Sequence, residues 1–179
     1  LFKASVGRAV RMPTVNELYG ATTTVNSQFV NDPNLVPEKS WTAELTVELG
    51  DAAEPASGSL RVTGFAEDTR DALYSQTTFD AVANRNISRV QNVGRIATKG
   101  LELVASRPDV FLRGLDLSAS VTYADSTIRE NAGFVVTPGD TLGKWQPNIP
   151  RWRATALASW RLDERWTTTL GLRHSGTQY

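Results

Sequence analysis

Leu115-Asp116-Leu117-Ser118-Ala119-Ser120-Val121-Thr122-Tyr123 alternates apolar and polar residues without a break. Leu115, Leu117, Ala119, Val121 and Tyr123 fall on one side of an extended chain, and Asp116, Ser118, Ser120 and Thr122 on the other. Period-two alternation of this kind marks a strand with one face in an apolar medium and one in a polar medium. About seven stretches carry it. Trp41, Ala43, Leu45, Val47 and Leu49 alternate with Thr42, Glu44, Thr46 and Glu48. Trp152, Ala154, Ala156, Ala158 and Trp160 alternate with Arg153, Thr155 and Ser159, Leu157 being the exception. Leu60, Val62, Gly64 and Ala66 oppose Arg61, Thr63 and Glu67, with Phe65 intruding on the polar side. Trp166, Leu170 and Leu172 oppose Thr167, Thr169 and Arg173, and Phe2, Ala4 and Val6 oppose Lys3, Ser5 and Gly7. Between Arg95 and Ser106 the pattern is interrupted, because Lys99 falls on the side of Leu101, Leu103 and Ala105. A β-bulge, or a strand that rises above an apolar layer, would account for Lys99.

The connections sort by length. Gly50 to Gly58, Arg107 to Arg113 and Leu162 to Glu164 are short and carry Pro, Gly or charge, whereas Met12 to Glu38, Asp71 to Asn92 and Ser126 to Pro150 are long. Counting strands puts all short links at one end and all long ones at the other. That is the layout of an up-and-down antiparallel barrel in an outer membrane, with its long loops facing outward. About seven strands are too few to close such a barrel, and lipid cannot satisfy open edges. The stretch LFKASVGRAV at the start already reads as a strand. The sequence is therefore expected to be a piece of a longer protein, cut at both ends.

Composition sets limits. The chain has 179 residues with 19 basic and 19 acidic side chains, so it carries no electrostatic footprint for nucleic acid. No apolar run approaches the roughly 18 residues of a membrane helix, but a barrel needs none because lipid meets only every second residue. Cys is absent and His174 is the single histidine, which argues against thiolate catalysis, disulfides and a metal centre. No nucleophile–base arrangement is visible, so neither catalytic residues nor a cofactor are expected.

Several segments carry a family resemblance. Arg11-Met12-Pro13-Thr14-Val15-Asn16-Glu17-Leu18-Tyr19 resembles the "FRAP…ELY" segment of TonB-dependent outer-membrane receptors, with Val10 and Met12 replacing its Phe and Ala. Asp32-Pro33-Asn34-Leu35-Val36-Pro37-Glu38-Lys39-Ser40 is similar to "NPNLKPE.S", followed by a strand ending Glu48-Leu49-Gly50. Asn92 to Glu102 resembles the "N.G.A..KGVE" strand, Pro147 to Arg151 resembles "P.VPRH", and Arg173 to Tyr179 resembles "RYVGSQY". The motif residues singled out are Arg11, Pro13, Glu17, Leu18, Tyr19, Pro33, Asn34, Leu35, Pro37 and Glu38. The resemblance implies a barrel of about 22 strands around an N-terminal plug. It also implies bacterial outer-membrane location and active import of a ferric siderophore or similarly scarce nutrient. The partners implied are that small ligand, outer-membrane lipid, and the TonB system acting through an N-terminal region outside these residues. The haem-receiving branch tends to carry a histidine between its two motifs. Thr14 to Asn31 has none, which disfavours haem.

The faces then take roles. Leu45, Val47, Leu117 and Val121 are expected to meet lipid, and Glu44, Glu48, Arg61, Glu102, Asp116 and Arg153 the wet lumen. Trp41, Tyr123, Trp152, Trp160 and Trp166 near strand ends suit an interfacial girdle. Arg11 and Glu17 are expected to form an ion pair that shapes the first loop. Tyr74, Phe79, Arg85, Arg129, Lys144 and Trp145, expected at loop tips and in the upper lumen, are candidate ligand contacts, because siderophores are often anionic and aromatic. Glu67, Asp68 and Asp71 read as a solvated strand end rather than a Ca²⁺ loop. The alternative to the whole reading is a soluble two-sheet binding module.

Overall fold

The computed structural model describes residues 1–20, 23–24, 27–50, 57–131 and 142–178. Parts of the first short link (51–56), the first and last long links (21–22, 25–26 and 132–141), and Tyr179 lie outside the described residues. The elements in chain order are β1 (Phe2–Arg11), α1 (Val15–Tyr19), β2 (Ser27–Val30), β3 (Glu38–Gly50), β4 (Ser59–Asp80), β5 (Arg85–Arg107), β6 (Leu115–Glu130), β7 (Trp152–Arg161) and β8 (Thr167–Ser175). They form one sheet in the order β1-β3-β4-β5-β6-β7-β8, all neighbours antiparallel, with short β2 laid parallel against β5. The up-and-down order expected from the alternation is present. Helix α1 and strand β2, inside the first long link, are additions to it.

Register merges the strands into two faces. Val47, Val62, Leu103, Val121 and Ala154 stand opposite one another on successive strands, as do Leu45, Gly64, Leu101, Tyr123 and Trp152. Directly opposed residues share a face, so the apolar halves of every strand form one continuous surface. The other face is bound by polar pairs. Hydroxyls of Thr46 and Thr63 lie 3.0 Å apart, those of Ser120 and Thr155 2.7 Å, and those of Ser159 and Thr169 3.3 Å. Arg61 reaches Glu48 at 3.4 Å. The two apolar intruders on this face share one explanation. Phe65 stands opposite Gly100 and Leu157 opposite Gly171, so each lies over a backbone that lacks a side chain. A Cβ at Gly100 would collide with the Phe65 ring.

No described residue covers the apolar face. Leu45 is 58% exposed, Leu101 50% and Leu170 62%. A sandwich would bury these residues against a second sheet, and the described strands form only one. The two-sheet alternative is therefore set aside. Buried apolar side chains gather instead toward the long-loop end, where Ala72, Val93, Ile96 and Ile128 cluster with Tyr74 packed against them.

Two expected loops are corrected. Asp71 to Asn92 is not a loop: β4 and β5 continue as a paired hairpin to Asp80 and Arg85. Its tip is turned by the Asp80 carboxylate, which accepts from the Val82 and Ala83 N–H groups, and by Asn84 at φ 47°. Ser126 to Glu130 likewise belongs to β6. Lys99 is also resolved. Register runs unbroken through Ala66, Lys99 and Asp125, and the shift lies further along, between Arg95 and Ile96. Lys99 thus marks where the strands rise past the apolar band.

Candidate functional site

The long-loop end is built by the first motif segment folding over the β4–β5 hairpin. Thr14 caps α1: its Oγ1 accepts from the Glu17 N–H at 3.2 Å, and the Glu17 carboxylate accepts from the Thr14 N–H at 2.7 Å. This reciprocal capping box explains why five residues hold a helix after Pro13. Arg11 at the end of β1 closes the corner, its Nη2 lying 2.6 Å from Glu17 Oε1. The expected ion pair is present. The Thr14 N–H, joined by Arg11, holds the Glu17 carboxyl below its ordinary value of 4.5 against the opposing cost of desolvation. Leu18 donates its N–H to the Thr14 carbonyl, and Tyr19 is exposed. Asn31 Nδ2 donates to the carbonyls of Asn16 and Glu17, supplying partners at the helix end.

The second motif stretch is tied to the hairpin. Asp32 Oδ1 accepts from the Asn34 N–H, with Pro33 inside the turn, and Leu35 is buried. Asn92 then acts as a side-chain stand-in for a strand. Its Oδ1 accepts from the Val36 N–H at 2.9 Å, and its Nδ2 donates to the carbonyls of Val36 at 3.0 Å and Asp71 at 2.6 Å. Beyond Pro37, Glu38 Oε2 accepts from the Leu73 N–H at 2.8 Å. Two separate motifs, Asp32–Ser40 and Asn92–Glu102, thus meet at one amide. Glu17, Glu38 and Asn92 have their polar groups committed to holding the loop.

Register divides the six candidate ligand residues between two faces. Four lie on strands, not loops: Tyr74 and Phe79 on β4, Arg85 on β5 and Arg129 on β6. Tyr74 packs on the cluster containing Ile96 and Ile128, which continues the polar face upward. Alternation along the hairpin puts Arg85 on the same side, half-buried, with a buried Nε that has no hydrogen-bond partner among the described residues. Lys144 pairs through its carbonyl with Ile128, so its register position is also on this side. Its neighbour Gln146 accepts at Oε1 from Ser126, a polar-face residue.

Phe79, Arg129 and Trp145 fall elsewhere. Phe79 pairs with Asn86 on the opposite side of the hairpin and is 63% exposed. Trp145 bridges Thr127, in line with Asp125 and Tyr123 on the apolar-face side, where the Arg151 guanidinium stacks on its ring and approaches Asp125. Arg129 is the unpaired residue of the β6 bulge, between Ile128 opposite Ile96 and Glu130 opposite Arg95, and lines a hollow with Trp41, Ala66 and Lys99. Residues absent from the sequence-based candidates also emerge. Asn92 was visible only as a motif letter, and the charges Lys39, Arg70 and Arg95 line up only once register is known. Asp68 is engaged by Arg95 and lies 3.8 Å from Arg70.

Comparison with known proteins follows the same lines. The family model described as "TonB dependent receptor-like, beta-barrel" matches residues 1–179. No curated protein matches the sequence. Among solved structures, the siderophore receptor PirA from Pseudomonas aeruginosa superposes with a TM-score of 0.68 at 18% identity, over 95% of this chain and 30% of that one. The copper transporter OprC gives 0.70 at 17%, over 96% and 24%. The FrpB iron transporter from Neisseria meningitidis gives 0.57 at 20%, over 96% and 24%. The chain therefore spans less than a third of the length of these structures, and at such identities they establish its fold.

Proposed function

From the premise that this chain belongs to the TonB-dependent receptor family of outer-membrane β-barrels, we propose that its parent protein binds a metal chelate and imports it actively. The cargo favoured is a ferric siderophore or similarly scarce nutrient. The observation that carries this reading is the asymmetry of the wall. Among the described residues, one face is apolar, uncovered and fit for lipid; the other is laced with hydroxyl and ion pairs; and a tied-down loop assembly sits at the long-loop end. Siderophore receptors and an iron transporter among the structural neighbours favour an iron chelate. A copper transporter with the same wall makes copper the second reading.

Tyr74, Arg85 and Lys144 are the ligand contacts we favour, because they share the side that continues the lumenal face. Aromatic and cationic groups there suit an anionic aromatic chelate. Energy would come through the TonB system acting on the plug. The test is uptake of radiolabelled iron, supplied as a panel of ferric siderophores, by cells with and without the parent gene. Loss of uptake of one chelate on gene deletion, and on addition of a protonophore, is the expected result. Unchanged iron uptake with lost copper accumulation would select the second reading.

A further inference from the structure

Below the long-loop assembly, register divides the wet face of the wall by charge. Strands β1 and β3 to β6 turn the carboxylates of Glu44, Glu48, Glu67, Glu102 and Asp116 to it, against the cations Lys3 and Arg61. Every one of these carboxylates is engaged. Glu48 is paired with Arg61, Glu44, Glu67 and Glu102 accept from the hydroxyls of Ser5, Thr69 and Thr122, and Asp116 accepts from the Asp109 N–H. Strands β7 and β8 carry Arg153, Arg161 and Arg173 on the same face, with no carboxylate beside them among the described residues. Arg153 and Arg173 are exposed, and neither makes an ion pair or side-chain hydrogen bond with a described residue. One side of the wet wall is acidic and satisfied; the other is basic and open.

The two open arginines converge on a hollow. Arg153 stands opposite Ser175 and Arg173 opposite Thr155, so the arginines are diagonal neighbours with Cβ atoms roughly 7–8 Å apart. Ser118, Ser120, Thr155, Leu157, Gly171 and Arg173 line a depression in the wall, which Gly171 leaves open by having no side chain. Position along the wall links this hollow to the long-loop end. Residues 143–146 pair with Ser126 to Ile128, taking the place beside β6 that β7 takes further down. Lys144 is thus level with Ile128 and Arg153 with Thr122, six residues along β6, or about 20 Å at ~3.4 Å per residue. We propose that Arg153 and Arg173 form a second station for an anionic metal chelate, deeper in the lumen than Tyr74, Arg85 and Lys144. The inference rests on the import reading above and adds a route to it, along β7 and β8 and away from the carboxylates of β3 to β6. Two neighbouring guanidiniums repel each other, and an anion between them removes that repulsion while accepting hydrogen bonds from both forks. A neutral chelate gains neither.

The experiment uses the full-length receptor, purified in detergent in a cysteine-free background, with one nitroxide attached through Ser118→Cys at the rim of the hollow. The probe is ferric enterobactin, a trianionic chelate whose iron broadens a nearby nitroxide spectrum. Its diamagnetic gallium analogue and neutral ferrichrome are the comparisons. Ferric enterobactin should broaden the spectrum, the gallium analogue should not, and ferrichrome should need about tenfold more chelate. R153Q/R173Q should weaken the response to ferric enterobactin at least about tenfold, the loss of one charge-assisted hydrogen bond. R153K/R173K should recover most of it, and R61Q, whose arginine is already paired with Glu48, should match the unsubstituted wall. No broadening by ferric enterobactin, equal broadening by ferrichrome, or an unchanged response in R153Q/R173Q would each overturn the station. Cellular iron uptake separates the two readings: uptake without broadening removes the station alone, whereas absent uptake removes the import reading beneath it. Should the double variant fail to fold, the contrast between the two iron chelates decides.

Discussion

The mid-wall and the long-loop end of this molecule are stabilised by different means. In the wall, Leu45, Val62, Leu103 and Val121 form a regular apolar surface with no described residue packed over it. At the long-loop end, Val93 is 0% exposed and Ile96 and Ile128 nearly so, in a small conventional core. Solvent supplies the packing partner below and side chains supply it above. The wall therefore depends on lipid, whereas the loop assembly holds itself together through Asn92, Glu38 and the Arg11–Glu17 corner.

The largest effect should come from placing a charge on the lipid side. Leu103→Arg in the full-length protein should lose about 2–4 kcal/mol of folding free energy in vesicles if it lies near mid-bilayer. Thr63→Arg, on the wet face, should change little. A denaturant titration in vesicles checks both, and equal losses would erase the distinction between the faces. Next, Ile128→Ala should cost about 2 kcal/mol, at the low end for a buried aliphatic because the cluster is small. The loss should appear as faster hydrogen exchange in the upper β4–β5 hairpin, with the wall unchanged.

Asn92→Ala should cost about 1–2 kcal/mol, since it strands the Val36 N–H and the carbonyls of Val36 and Asp71. Limited proteolysis should then cut between Met12 and Glu38 while sparing the strands. The smallest effect concerns pH. Glu17 has a depressed folded-state pKa, so its contribution to the corner is present above its ordinary value of 4.5 and is lost as pH falls through the lower folded value. Amide exchange at Thr14 and Glu17 should accelerate in that acid window, and Arg11→Gln should move the onset upward. An acid-independent exchange rate would show that the carboxylate does not hold the corner.

The same contrast explains what was legible in the sequence. Period-two alternation appears only where the two faces meet different media, so the wall could be read strand by strand. Above the band the hairpin from Asp71 to Asn92 buries Ala72 on one side and Val90 on the other, while its tip meets water. Nothing there selects alternation, Asp71 takes φ 55°, and paired strands looked like a loop. Helix α1 is too short for periodicity, although Thr14-Val15-Asn16-Glu17 carried the capping-box spacing that marks its start. The division of Tyr74, Arg85 and Lys144 from Phe79, Arg129 and Trp145 depends on a bulge and on which strand pairs with residues 142–146. Neither is written locally. The motif letters were visible, but their meeting at Asn92 joins residues 56 positions apart.

The facing of the wall can be measured directly. Spin labels placed one at a time at Leu117, Ser118, Ala119, Ser120, Val121 and Thr122, in a cysteine-free full-length receptor in vesicles, report access to oxygen and to a water-soluble nickel relaxant. Labels at Leu117, Ala119 and Val121 should favour oxygen, and those at Ser118, Ser120 and Thr122 should favour nickel. A flat profile, or one with the opposite phase, would contradict the assignment of one face to lipid and the other to an aqueous lumen.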